Sequence, residues 1–170
     1  PGLYAAMWVG RDDYAYSNQG SDVEVDYIAG FGCALDARLS FDTSIARYTY
    51  PTSNLNYDWT EWYASVRVDA CCTLGASIGH DWLGANKTTE MVEFTVRYPL
   101  PLGVIVDGTA GYQNVSSAVG RDYSYYEFGL GYALQRFQFR IAWVSTDSAA
   151  REVFGPAAST RWVGAVSWNI

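Results

Sequence analysis

The segment "VEVDYIAGFG", residues 23–32, alternates strictly between two kinds of side chain. Val23, Val25 and Tyr27 fall on one parity, whereas Glu24 and Asp26 fall on the other. A period of two residues is that of a β-strand with one apolar and one polar face. In a soluble sheet the acids would face water, but in a membrane barrel they would line the lumen while the apolar side chains face lipid. The rest of the chain has to decide between these two arrangements.

Nine further segments alternate in the same way, and no stretch has helical periodicity. Most of the ten match the roughly 9–11 residues that a tilted strand needs to cross a bilayer. The sequence therefore predicts an all-β fold, an antiparallel up-and-down transmembrane β-barrel of about ten strands, as a single domain over residues 1–170. The predicted strands are 2–10, 22–33, 38–49, 59–69, 73–82, 89–99, 103–113, 123–134, 136–146 and 160–170.

The connections between these segments alternate in length. Long polar stretches such as "RDDYAYSNQGS" and "TDSAAREVFGPAAS" follow the odd-numbered segments, whereas short ones such as "LPL" and "QR" follow the even-numbered ones. Short turns at one end and long loops at the other are typical of bacterial outer-membrane barrels. Soluble up-and-down barrels need no such asymmetry.

The polar parity of the ten segments carries more acids than arginines. An excess of carboxylates in a lumen predicts a narrow pore that prefers cations. The alternative is that paired acids and arginines only fill the interior of a small barrel. The residues predicted to line the lumen are Glu24, Asp26, Asp42, Glu61, Arg67, Glu93, Arg97, Asp107, Glu127, Arg140 and Arg161.

Aromatic residues concentrate near the ends of the predicted strands, with mostly aliphatic residues between them. Trp and Tyr prefer the two interfaces of a membrane, so this distribution favours the barrel whose acids face inward. A soluble core would gather its aromatics at mid-strand. The predicted membrane-interface residues are Trp8, Trp62, Trp82, Tyr98, Tyr112, Tyr126, Tyr132, Trp143, Trp162 and Trp168.

Composition and motifs argue against several other classes of protein. Eleven basic residues against 18 acidic ones give a net charge of −7, which does not suit a nucleic-acid partner. No apolar run is long enough for a transmembrane helix, and no leader is visible, so we expect any signal peptide to have been removed.

The single histidine, His80, shares parity with apolar Ile78, and no nucleophile motif accompanies it. We therefore expect no enzyme activity, no cofactor and no metal site.

The three cysteines show no metal-binding spacing. Cys33 and the adjacent pair Cys71 and Cys72 fall at neighbouring short turns, which would lie in the oxidising periplasm. Two outcomes stay open: a disulfide between Cys33 and one of the pair, or no such bridge. In either case at least one thiol remains available for another chain.

Several stretches resemble one known family. They are "GLYAAMWVGRDDY", "VEVDYIAGF", "RYTYPTSNLNYDWTEWYASV", "RYPLPLGVIVDGTAGYQ" and "YYEFGLGYAL". In these the chain is similar to the TorF-type porins of Gram-negative outer membranes. The resemblance implies an outer-membrane β-barrel, brings no catalytic residues, and implies two further strands ahead of the segment at Gly2, which this sequence lacks.

We therefore expect a bacterial outer-membrane porin for ions or small solutes, with a polar, acid-rich lumen. Two alternatives remain: a structural or assembly-forming envelope barrel without transport, and a soluble ligand-binding β-barrel. The expected partners are outer-membrane lipid and lipopolysaccharide. A further copy of the chain could associate through open strand edges or through the spare cysteine.

Overall fold

Ten antiparallel strands make up a single sheet. The computed structural model describes residues 1–12, 22–53, 56–69 and 71–168. Each strand pairs with the next along the chain, in the order β1 to β10. The strands are β1 (Gly2–Asp12), β2 (Asp22–Ala34), β3 (Leu39–Thr49), β4 (Trp59–Val68), β5 (Cys72–His80), β6 (Thr89–Pro99), β7 (Val104–Asn114), β8 (Tyr123–Leu134), β9 (Phe137–Thr146) and β10 (Arg161–Trp168). The predicted ten-strand, up-and-down arrangement is confirmed, although residues 169–170 of the last predicted segment lie outside the described residues.

Helices are confined to the connections and are short. Helix α1 (Ser116–Val119) follows β7, and α2 (Ser148–Phe154) follows β9. Single 3-10 turns occupy Trp82–Gly84, Pro101–Gly103 and Gly155–Ala158. Among the described residues, no helix has the length and apolar character needed to cross a membrane.

The register gives the sheet two unlike faces, because residues paired across antiparallel strands point to the same side. One side, here called the apolar face, carries Trp62, Phe128 and Val166, which are 65%, 57% and 66% exposed. The opposite side, here called the polar face, carries Glu24 and Asp26, which are both only 8% exposed. The usual soluble pattern, with apolar side chains covered and charges in solvent, is therefore inverted.

The polar face is the concave one. Side chains two strands apart meet on it: Tyr4 of β1 donates to Asp42 of β3 at 2.8 Å, and Tyr63 of β4 donates to Glu93 of β6 at 3.1 Å. The connections that follow β5 and β9 also touch each other, since the Trp82 and Phe154 rings lie 6.4 Å apart. Contacts across several strands at one end require the sheet to be rolled toward this face.

Closure into a barrel within this chain was expected and is wrong. In the part of the chain that the structure describes, β1 pairs with β2 alone and β10 with β9 alone, so the sheet is open. An even strand number and consistent parity allow closure but do not produce it. A closed barrel also needs a matched tilt and stagger of all its strands, which alternation along single strands does not specify.

Candidate functional site

A charge cluster lies on the polar face between β7 and β9. Arg140 donates through Nε to Asp107 Oδ1 at 3.1 Å, and its Nη2 contacts both Asp107 and Glu127. One guanidinium thus serves two carboxylates. Arg97, although exposed, is the cross-strand partner of Asp107 in the β6–β7 register. The four side chains line a recess of about 330 Å³ on the concave side of the sheet.

Glu93 is held by two tyrosines, one from each side. Tyr63 of β4 donates to one carboxylate oxygen at 3.1 Å, and Tyr125 of β8 donates to the other at 2.8 Å. The Tyr63 ring fills the space beside Gly75, and the Tyr125 ring fills the space beside Gly111, so that a Cβ at either glycine would collide with a ring. Glycine is therefore what lets both tyrosines lie flat and reach Glu93.

A third group lies nearer the long loops. Tyr48 donates to Glu61 at 2.9 Å, and its ring stacks on that of Trp59 with centroids 4.1 Å apart. Tyr48 is also the cross-strand partner of Asp26, whose neighbour on the same face is buried Glu24. Three carboxylates therefore surround one tyrosine.

The other predicted lumen residues lie on the same face but outside these groups. Asp42 accepts from Tyr4 and, together with Arg67, lines an open recess near the short turns. Arg67 and Arg161 are exposed. The structure thus brings the predicted acids and arginines onto one face, whereas their role as a pore lining stays a prediction.

Most of the predicted interface aromatics project from the apolar face. Paired positions show this directly: Trp62 lies opposite Ile78, and Trp143 lies opposite Trp162. The residues on this face are Trp62, Tyr98, Tyr112, Tyr126, Tyr132, Trp143, Trp162 and Trp168. That they meet a membrane interface stays a prediction.

Two tryptophans depart from that expectation. Trp8 is paired with Asp26 and its ring lies over Gly10, so it belongs to the polar face. The assignment of Trp8 to the apolar parity was wrong because both parities of "GLYAAMWVG" are apolar. Trp82 lies beyond the end of β5, in a 3-10 turn, where its ring meets Phe154 edge-on.

The cysteines are all free thiols. Cys33 is the next-to-last residue of β2 and Cys72 begins β5, so that two whole strands, β3 and β4, lie between them. Three strand spacings of about 4.8 Å place them about 14 Å apart, well beyond the roughly 7 Å that a disulfide tolerates. The open alternative of a Cys33 bridge to the pair therefore does not fit this sheet. Cys71 and Cys72 contact each other, with their sulfurs 2.7 Å apart.

Acids also order the connections at both ends of the sheet. At the short-turn end, Arg38 contacts Asp69 through two nitrogens, each at 2.7 Å, and this keeps the pKa of Asp69 below its usual range. At the long-loop end, Asp122 accepts from the backbone N–H groups of Ser116 and Val115 at 2.7 and 2.9 Å. Those bonds, Ser116 first, lower the pKa of Asp122.

The tyrosines of the polar face were not anticipated. Tyr48, Tyr63 and Tyr125 donate to carboxylates there, yet they were predicted neither at the lumen nor at the membrane interface. For two of them, parity with a neighbouring acid is the sequence signal that indicates the polar face. Tyr63 is two residues from Glu61, and Tyr125 is two residues from Glu127.

The functional groups of the polar face are carboxylates, guanidinium groups and tyrosine hydroxyls. The single histidine, His80, is exposed beside Ile78 and Trp62 on the apolar face. No group of three or more His, Cys, Asp or Glu side chains among the described residues is placed to hold a metal ion. What the face does offer is a row of carboxylates with hydroxyl donors around them.

Comparison with known proteins gives a family but no activity. No curated protein and no solved structure matches the chain. One family model, described as "Bacterial protein of unknown function (Gcw_chp)", matches residues 1–170. The chain therefore belongs to the bacterial Gcw_chp family.

Proposed function

We propose that the protein is part of an outer-membrane β-barrel, as the resemblance to TorF-type porins implies, and that its concave face forms a narrow, cation-preferring passage for ions or small solutes. The observation that carries this proposal is the inversion of the two faces. Large apolar side chains such as Trp62, Phe128 and Val166 are exposed, whereas Glu24 and Asp26 are buried. An apolar surface of this extent is stable against lipid and unfavourable against water.

The same observation argues against a soluble ligand-binding barrel. That alternative needs the acids on the outer surface and the apolar residues in a core. Here other side chains cover acids of the polar face. Glu93 lies between two tyrosines that donate hydrogen bonds to it, and Asp107 is covered by Arg140.

Cation preference follows from the charge on the polar face. Among the strand side chains that the structure describes on this face, seven carboxylates stand against four arginines: Glu24, Asp26, Asp42, Glu61, Glu93, Asp107 and Glu127 against Arg67, Arg97, Arg140 and Arg161. A surplus of fixed negative charge in a narrow passage raises the local concentration of cations and lowers that of anions.

Membrane insertion is tested by extraction. The protein should remain with the membrane pellet through salt and carbonate washes, leave it only in detergent, and migrate differently in gels before and after boiling. Recovery in the aqueous fraction without detergent would contradict the proposal.

Conduction is tested in planar bilayers with the protein purified from its native membrane. A KCl gradient should give a reversal potential of the sign expected for cation flow, and Glu93→Gln should reduce the cation preference. Glu90→Gln is the matched control, because Glu90 lies on the same strand but pairs with Ile78 on the apolar face. Anion selectivity, or an equal effect of both variants, would overturn the assignment of the passage to the polar face.

A structural wall without transport is the second candidate, and it is favoured by the outer edges of β1 and β10, which pair with no other strand that the structure describes. Both edge strands expose both of their faces: Leu3 and Tyr4 on β1, and Val163 and Val166 on β10. Unpaired backbone groups cost several kcal/mol each in lipid, so edges of this kind require further strands. Heat-resistant oligomers together with silent bilayers would favour this candidate over the passage.

A further inference from the structure

The long-loop end of the sheet holds a cavity of about 620 Å³ that the passage does not require. Four connections meet around it, those after β3, β5, β7 and β9. Its apolar wall is formed by Tyr57, Leu83, Val119, Val153 and Phe154. This volume falls within the range of roughly 300–1,000 Å³ that is usual for small-molecule sites.

Aromatic contacts fix one wall of this loop cavity. The Phe154 ring, at the end of α2, meets Trp82 edge-on at 6.4 Å and Tyr123 edge-on at 5.4 Å. Helix α2 is itself anchored, because Asp147 accepts from Ala150 N at 3.0 Å and from Ser124 N at 2.8 Å. The wall is therefore held in place before any ligand arrives, which reduces the entropy lost on binding.

Backbone strain fixes a second part of the cavity wall. Leu83 has a φ of 48°, and Asp81 and Asn86 on either side of it have φ values of 59° and 53°. Left-handed backbone is uncommon for residues other than glycine and is costly for a bulky one. Asp81 stabilises the turn by accepting from Asn86 N at 2.7 Å. Strained, over-determined turns of this kind cluster at ligand sites, and this one keeps Leu83 at the cavity.

The charges at the cavity already neutralise each other. Arg121 Nη2 lies 3.0 Å from Glu152 Oε2, and both side chains line the cavity. A charged ligand would lose hydration in the apolar space without meeting an unpaired opposite charge among the described residues that line it. An uncharged ligand can fill the apolar space without disturbing the pair.

From the volume, the apolar and aromatic walls and the internally neutralised ion pair, we propose that the loop cavity binds a small, uncharged ring compound. This inference does not depend on the passage, because every residue that carries it lies in the connections or at the outer end of β8. A protein that conducts nothing could still bind such a compound, and a conducting one could lack the site.

The test compares three probes that share one ring system: 1-naphthol, 1-naphthoate and 1-naphthylmethylammonium. Equilibrium dialysis of the detergent-solubilised protein, corrected for protein-free micelles, should give saturable binding of one 1-naphthol per chain. The two charged probes should bind about tenfold more weakly or worse, a difference of about 1.4 kcal/mol. Absence of saturable binding above the micelle background, or equal binding of 1-naphthoate, would overturn the proposal.

A matched pair of variants locates the binding. Val153→Trp should fill the cavity and remove 1-naphthol binding, whereas Val166→Trp makes the same change on the exposed apolar face and should leave binding intact. Equal binding by Val153→Trp would contradict the site. If Val153→Trp does not fold, hydrogen exchange on the unaltered protein decides: 1-naphthol should slow exchange in 81–86 and 150–154, and unchanged exchange there would overturn the proposal.

Discussion

At the scale of single residues, glycines decide where the tyrosines of the polar face can lie. A Cβ at Gly111 would collide with the ring of Tyr125, which hydrogen-bonds Glu93. We expect Gly111→Ala to displace this ring, weaken its bond to Glu93 and lower the free energy of unfolding by about 1–3 kcal/mol. Urea unfolding from lipid vesicles, followed by tryptophan fluorescence, measures the change.

Gly164 provides the matched control for this substitution. It also lies in a strand, β10, but an added Cβ would have no atom within 4 Å. Gly164→Ala should therefore leave the unfolding midpoint unchanged or raise it slightly, because alanine restricts the unfolded chain more than glycine does. Equal destabilisation by both variants would show that the packing of the Tyr125 ring against Gly111 does not contribute to the free energy of unfolding.

The same scale shows what parity can predict about the polar face. The charged residues were assigned from the sequence because several charges on one parity of an alternating segment mark the polar face, even though a single charge such as Glu90 lies on the apolar face. Tyrosine does not mark a face, since it suits both an interface and a hydrogen bond to a buried carboxylate. The predicted placement of Trp8 was wrong for a related reason. In "GLYAAMWVG" neither parity is polar, and only the pairing of Trp8 with Asp26 shows that it lies on the polar face.

At the scale of elements, Asp122 holds the connection between β7 and β8. It accepts from the backbone N–H groups that precede and begin α1, and Tyr112 also donates to it, at 3.1 Å. These bonds favour the carboxylate, so the pKa of Asp122 is lower in the folded protein than in the unfolded chain. The stabilisation is therefore fully present above the unfolded pKa of about 3.9 and is lost as the pH falls through the lower, folded pKa.

We accordingly expect residues 115–120 to stay protected from amide exchange at pH 7 and pH 5, and to lose protection below about pH 4 once intrinsic rates are corrected for. Asp122→Asn should loosen the segment already at pH 7, because a neutral amide accepts more weakly than a carboxylate. Asp36→Asn is the control: Asp36 accepts from two backbone N–H groups in the same way, but in the turn after β2. Loss of protection at 115–120 in that variant would contradict the local role of Asp122.

Strands were predicted closely because alternation is a local property: the segments 89–99 and 123–134 match β6 and β8 residue for residue. The short helices were not predicted. Helix α1 has four residues and α2 has seven, too few for a periodic pattern to appear. Their ends also depend on residues outside the helices. Asp147, before α2, accepts from Ser124 N of β8, and Asp122, after α1, accepts from Ser116 N at the start of that helix.

At the scale of the whole molecule, closure is the feature that the sequence did not determine. Inward and outward parity depends on one strand at a time, whereas closure depends on the summed stagger and tilt of all the strands. The structure accordingly has the predicted faces and strand order, and within the described residues the outer edges of β1 and β10 are unpaired. If the sheet lies in a membrane as proposed, the outer edge of β1 and the outer edge of β10 must each pair with a further strand.

Cysteine pairs test this arrangement in a background where Cys33, Cys71 and Cys72 are replaced by serine. Ala5→Cys with Ala29→Cys joins cross-strand partners of β1 and β2, which share the apolar face, and should form a disulfide within one chain. Ala5→Cys with Val166→Cys places the second thiol on the same face of β10, which β1 does not pair with. Under mild oxidation in native membranes, this second pair should give no bridge within one chain. Each edge must still be paired in lipid, so contact between the edges of two copies should appear as disulfide-linked dimers in non-reducing gels. A disulfide within one chain would instead show that β1 and β10 pair with each other and close the barrel.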